Sequence, residues 1–115
     1  VLYNIEQRGI EFDLLPWWQQ HNLPLMAYCP IAQGGDLLSS PTLKQIARRH
    51  EATPAQVALA WVLRQDRVIA IPKAVSPEHV RLNAAAARLV LDEHDLDAID
   101  RVFGAPIRKH PLAMV

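Results

Sequence analysis

The sequence has one cysteine, four glycines, no excess of charge of either sign and no long hydrophobic run. Each shortage excludes something. Cys29 has no partner for an internal disulfide, so a reducing compartment, the cytoplasm, is the expected location. Twelve Lys and Arg balance twelve Asp and Glu, with an isoelectric point near 7.1. A chain without net charge has no general field to gather nucleic acid or an anionic membrane, so any anion site is local. A membrane-spanning helix needs about 18 or more consecutive apolar residues, and none occurs. Glu6 and Arg8 break the opening stretch within ten residues, so it is not a signal peptide.

What is present is a core. Half of the 115 residues are hydrophobic and 21% are charged, a composition that folds rather than staying disordered. The length suits one domain, not two. Val1-Leu2-Tyr3, Leu25-Met26-Ala27-Tyr28 and Val68-Ile69-Ala70-Ile71 are apolar without alternation, the pattern of strands covered on both faces. A chain that opens inside its first strand is expected to have lost something that preceded it.

Helical patterns lie between and after these runs. Asp13 is placed to cap a helix to about His21, with Pro16 in its first turn. Ser40-Pro41 opens a second helix, ending near His50. Thr53-Pro54-Ala55-Gln56 combines a Thr cap, Pro at the first position and Gln at the third, a capping box. The helix that follows, through Val57, Leu59, Trp61 and Leu63, is apolar nearly all round and must be packed on several sides. Ser76-Pro77 opens a fourth helix through Val80 and Asn83. Asp92 caps a fifth, with Leu91 and Leu96 as a hydrophobic staple. The segment from Gly104 to Val115 reads as a loop. The order β-α-β-α-α-β-α-α predicts right-handed crossovers and a parallel sheet. A full (β/α)8 barrel takes about 250 residues, so this chain supplies under half of one.

Two stretches could carry chemistry. Ligands gather at the carboxyl ends of parallel strands. After Ile71, Lys73 precedes a helix N-terminus capped by Ser76, which suits a phosphate. The same residues also read as a plain strand–turn–helix link with a solvated lysine. After Tyr28, Cys29 to Gly35 ends in two glycines that allow close backbone approach, and Tyr28 could offer a flat face to a ring. A glycine-containing loop beside a half-buried tyrosine is the plainer reading.

Other residues offer less. His21, His50, His79, His94 and His110 share no metal-ligand spacing, so no metal site is expected. Cys29 has no neighbouring histidine that would mark a nucleophile. Asp92, Glu93, Asp95, Asp97 and Asp100 are expected to cap their helix and face water. At least one of Trp17 and Trp18 belongs to the core, as does Trp61. The helix pair around Ala52 lacks the basic face of a DNA-binding motif.

At Ile71-Pro72-Lys73 the sequence resembles the aldo-keto reductase family. Val1-Leu2-Tyr3-Asn4 looks like its sixth barrel strand. Ala27-Tyr28-Cys29-Pro30-Ile31 is similar to the family's Ala-Tyr-Ser-Pro-Leu. Thr53 through Trp61 resembles the helix before the eighth strand, and Ile71 through Asn83 resembles the cofactor signature that follows it. The resemblance implies one partial domain over residues 1–115, about the last three βα units, without the N-terminal half of the barrel. It implies a part of an enzyme that reduces aldehydes or ketones to alcohols with NADP, or with NAD. Cofactor contacts are implied for Tyr28 on the nicotinamide, for Cys29, Ile31, Gln33 and Gly34 at the pyrophosphate, and for Lys73 at the adenosine 2′-phosphate. They are also implied for Val75, Ser76 and His79 beside that phosphate and for Asn83 at the adenine.

Cys29 and Ala74 replace serines of the family pattern, Leu82 replaces a glutamate, and His79 stands where NADP-preferring members carry arginine. An imidazole is mostly neutral at pH 7 and lacks the guanidinium fork, which bears on the choice between NADP and NAD. The family's Asp, Tyr, Lys and His tetrad has no counterpart here, nor does the glutamine that would precede Val1. The chain alone is therefore expected to be inactive. The partners implied are cofactor, a small carbonyl substrate and the missing half of the barrel or further copies of the chain. A non-catalytic nucleotide-binding or interaction module is the alternative reading, and a barrel-like oligomer a third.

Overall fold

The computed structural model describes residues 1–28, 30–33, 37–71 and 77–109, without the side chains of residues 32 and 33. Five of the expected site residues, Cys29, Gly34, Lys73, Val75 and Ser76, lie outside that set. So do Asp36 and the last six residues of the expected loop.

A 3-10 turn at Gly9–Glu11 leads into α1 (Leu14–Gln20), then β1 (Leu25–Tyr28) and β2 (Pro30–Gln33). There follow α2 (Pro41–Arg49), α3 (Pro54–Leu63), β3 (Val68–Ile71), α4 (Pro77–Ala86) and α5 (Glu93–Val102). β1 and β3 pair in parallel, Leu25 with Val68 through Tyr28 with Ile71. Between them the chain runs through β2, α2 and α3, a crossover that joins two parallel strands.

Several expectations change. Val1–Tyr3 is no strand: it contributes one parallel bridge, Leu2 to Tyr28, flanked by bonds from Val1 N to the Met26 carbonyl and from Tyr28 N to the Val1 carbonyl. Asn4 ends the extended run, because its Oδ1 accepts the backbone N–H groups of Glu6 and Gln7, both at 2.9 Å. β2 lies where a loop was expected. Pro30 opens it, a position in a strand where proline is tolerated. Asp13 makes no side-chain cap to α1; its carboxylate lies 3.6 Å from Lys109 Nζ instead.

The strands are covered on one face only by the described residues. Leu25, Ala27 and Val68 are buried, whereas the register partners Met26 and Ile69 are 56% and 50% exposed and Ile71 is 46% exposed. A parallel sheet with helices on one side and apolar side chains on the other is the wall of a barrel, its inward face meant for other strands.

α3 holds the core together. Its residues from Gln56 to Val62 are all buried, as its unbroken apolarity requires. The capping box forms as expected, with Thr53 Oγ1 accepting from Gln56 N at 3.2 Å and Gln56 Oε1 accepting from Thr53 N at 2.9 Å. Such a cap contributes about 0.5–2 kcal/mol. Leu43, Ile46 and Ala47 of α2 and Ile99 of α5 close on the same core. Trp61 is fully buried, 5.2 Å from the Tyr3 ring, with the guanidinium groups of Arg64 and Arg8 at 4.0 and 4.9 Å from its centroid. Trp18 packs partly against the core and Trp17 stays exposed, stacked on His21.

Candidate functional site

The carboxyl ends of β1 and β3 fall together, because the register places Tyr28 opposite Ile71. Tyr28 is half-buried there, and its backbone N–H is held by Val1 O at 3.0 Å. Its ring therefore stands on a backbone fixed from both sides. Chain continuity puts Cys29 directly after Tyr28, and residues 72–76 between Ile71 and α4. Ile31, in β2, is partly buried and packs against the core. Gln33 ends that strand.

α4 carries the other candidates. His79 and Asn83 are four residues apart and so share a helix face. His79 is exposed and Asn83 half-buried. Leu82 and Ala86 fall on the same face by spacing, and Ala86 is the one buried residue of α4. Gln56 reaches this helix from α3: its Nε2 donates to the Leu82 carbonyl at 3.0 Å. The sequence marked Gln56 as half of a capping box and gave no sign of this second bond.

Two buried polar clusters away from this edge also escaped the sequence. Asp95, expected to face water, has no exposed surface. Its carboxylate accepts from Arg49, from His50 Nε2 at 2.7 Å and from its own cap residue Asp92 N at 3.1 Å. Burial alone would raise its pKa; the bonds from His50 and the Asp92 backbone and the charge of Arg49 outweigh burial and lower it. The acidic residue three places after the cap signals a capping box, but nothing local signals Arg49-His50, more than forty residues earlier.

Arg8 is the second hub. Its Nε and Nη2 close on Glu11, both at 2.9 Å, and its Nη1 reaches Asp100 at 2.7 Å and the Phe103 carbonyl. Burial opposes its charge, yet the bonds and charges of Glu11 and Asp100 raise its pKa. The Tyr3 hydroxyl donates to Glu11 at 2.7 Å, and burial together with the Glu11 charge pushes that phenol up. Both clusters tie α5 to the rest of the chain. Among the described residues no group of three or more His, Cys, Asp or Glu side chains could hold a metal, and no helix is long and apolar enough to cross a membrane.

A parallel sheet with one apolar face left open by the described residues and helices on the other is part of a (β/α)8 barrel, with the candidate residues near its carboxyl edge. Residues 1–103 match the family model described as the aldo/keto reductase family, and the chain belongs to that family. It is similar to the methylglyoxal reductase YeaE of Escherichia coli, 45% identical over 119 residues, covering all of this chain and 42% of the relative. The glyoxal reductase of Bacillus subtilis is 35% identical over 88 residues, 76% of this chain and 31% of the relative. An aldo-keto reductase from Klebsiella pneumoniae, crystallised with NADPH, superposes with a TM-score of 0.97 at 50% identity, over all of this chain and 42% of that one. The chain thus spans under half the length of the relatives it matches.

Proposed function

We propose that these residues form the adenosine-phosphate side and one wall of the nicotinamide pocket of an NADP-dependent carbonyl reductase. The observation that carries the reading is the coincident ending of β1 and β3 at Tyr28 and Ile71, which aims the following segments at one edge. The likeness to a reductase crystallised with NADPH supports the choice of cofactor.

The donor set fits such a group. Tyr28 offers a flat aromatic face for a ring to lie against. Asn83 has both a donor and an acceptor for an adenine edge. Lys73 and the N-terminus of α4 supply positive charge for a phosphate. When bound, a reduced nicotinamide supplies the hydride that reaches a carbonyl carbon. The chain's own residues bind and orient: Tyr28 fixes the ring plane, Asn83 and His79 the adenosine end, and Lys73 the 2′-phosphate. None of these residues is assigned the proton for the carbonyl oxygen, because the tetrad that the resemblance implies for that step has no counterpart among them. The substrate class is small aldehydes and ketones, 2-oxoaldehydes among them, as the relatives named for methylglyoxal and glyoxal suggest.

Titrating the chain with NADPH and NADH, read by tyrosine and tryptophan fluorescence, tests the reading. NADPH is expected to bind more tightly than NADH. Equal affinities, or no binding of either, would contradict it. Purified chain given NADPH and methylglyoxal is expected to show no oxidation above a heat-treated control; turnover would place a proton donor within the chain.

A further inference from the structure

We propose that Gln56 is a positioning residue for the adenosine site, setting the rotation and height of α4 and so the placement of Asn83 and His79. The inference rests on the cofactor reading above and concerns a residue outside the pocket.

Gln56 is a polar side chain, 8% exposed, at the head of an otherwise apolar buried helix. A buried amide is costly unless its groups are bonded, and both ends of this one are. Oε1 accepts from Thr53 N at 2.9 Å, which locks the side chain to its own helix start. Nε2 donates at 3.0 Å to the Leu82 carbonyl, one residue before Asn83. A carbonyl has two lone pairs, so the Leu82 oxygen takes this bond without giving up its place in the helix.

α4 lies against α3 with Ala86 as its one buried residue, so apolar burial fixes its rotation at few positions. A directional bond then decides what apolar contact does not. A slip of one residue turns a helix by about 100° and would carry Asn83 and His79 off their shared face. The two-ended Gln56 amide forbids that slip, since Thr53 fixes one end and Leu82 accepts at the other. A leucine at position 56 would fill the space and lack both bonds.

Gln56→Glu separates bridge from cap. It keeps an acceptor for Thr53 N–H and replaces the donor to Leu82 with an oxygen that repels the carbonyl. Thr53→Val is the matched control: it loses the hydroxyl of the cap and leaves the Gln56–Leu82 bond. Hydrogen exchange of the unliganded chain and calorimetric binding of adenosine 2′,5′-bisphosphate are measured on both variants and the wild type. Gln56→Glu is expected to speed exchange selectively in α4 and to weaken binding roughly five- to tenfold. Backbone amide resonances of Leu82 and Asn83 should shift in the same variant. Thr53→Val is expected to loosen α3 while binding and the Asn83 resonance stay unchanged.

Unchanged exchange in α4 with Gln56→Glu, or weakened binding of equal size with Thr53→Val, would overturn the proposal. If the wild type fails to bind adenosine 2′,5′-bisphosphate, the cofactor reading falls. The exchange and resonance measurements still decide whether Gln56 sets α4.

Discussion

Tyr28 and Ile71 are register partners at the last rung of the β1–β3 pair, 43 residues apart in sequence and adjacent across the sheet. Because parallel strands end together there, the two segments that resemble cofactor loops leave the sheet from one edge. A single slip of register would turn Tyr28 and Ile71 to opposite faces. The candidate edge is therefore set by the same pairing that buries Leu25, Ala27 and Val68.

The opposite consequence of that pairing is an open apolar face. Met26, Ile69 and Ile71 are each about half exposed, and Met26 and Ile69 lie side by side. The isolated chain is expected to self-associate at micromolar concentrations, as exposed apolar patches and strand edges do. Ile69→Lys should shift the population toward monomer. Sedimentation velocity decides; a monodisperse wild-type monomer would contradict the expectation.

Asp95 predicts an acid limb. Its lowered pKa means that its contribution to stability is present above the usual carboxylate range, near 4, and is lost as pH falls through its lower native value. Asp95→Asn should flatten the loss of stability below about pH 4. At pH 7 it should cost about 2 kcal/mol. That is less than the full 3–5 kcal/mol of a broken buried pair, because the Arg49 side chain is 42% exposed. Urea unfolding at several pH values measures both effects.

In the proposed phosphate site, His79 is the position that bears on cofactor choice. On α4 it shares a face with Asn83, and the resemblance puts arginine at its position in NADP-preferring relatives. A guanidinium offers a fixed, permanently charged fork that an imidazole lacks. His79→Arg is expected to raise the ratio of NADPH to NADH affinity by roughly tenfold at pH 8. Calorimetric titration with both cofactors checks this.

β1, β3 and the capped starts of α3 and α5 are legible because they rest on local signals. Val68–Ile71 and Leu25–Tyr28 are apolar runs bounded by turn residues. Thr53 and Asp92 carry their capping partners three residues on, and α3 shows its burial in a run without polar interruption. Asp95, Arg8 and the outer end of Gln56 were not legible. Their partners, Arg49 and His50, Asp100, and the Leu82 carbonyl, are set by tertiary packing, and sequence spacing does not record which distant charge meets which. Val1–Tyr3 was misread for a related reason. Its apolarity announces burial, and Tyr3 is fully buried, but the Asn4 turn ends the run before it becomes a ladder. The candidate residues of α4 rest on resemblance to a family alone, since a lone His and Asn at helical spacing carry no chemistry of their own.

The central claim is that Lys73 reads the 2′-phosphate of NADP, and the most direct measurement is the pair of dissociation constants for NADPH and NADH before and after Lys73→Ala. A charge-assisted hydrogen bond contributes about 1.5–3 kcal/mol, so NADPH affinity should fall roughly ten- to a hundredfold. NADH lacks that phosphate, and its affinity should stay within about twofold. Equal losses for the two cofactors would show that Lys73 does not distinguish them, and would contradict the account of the site.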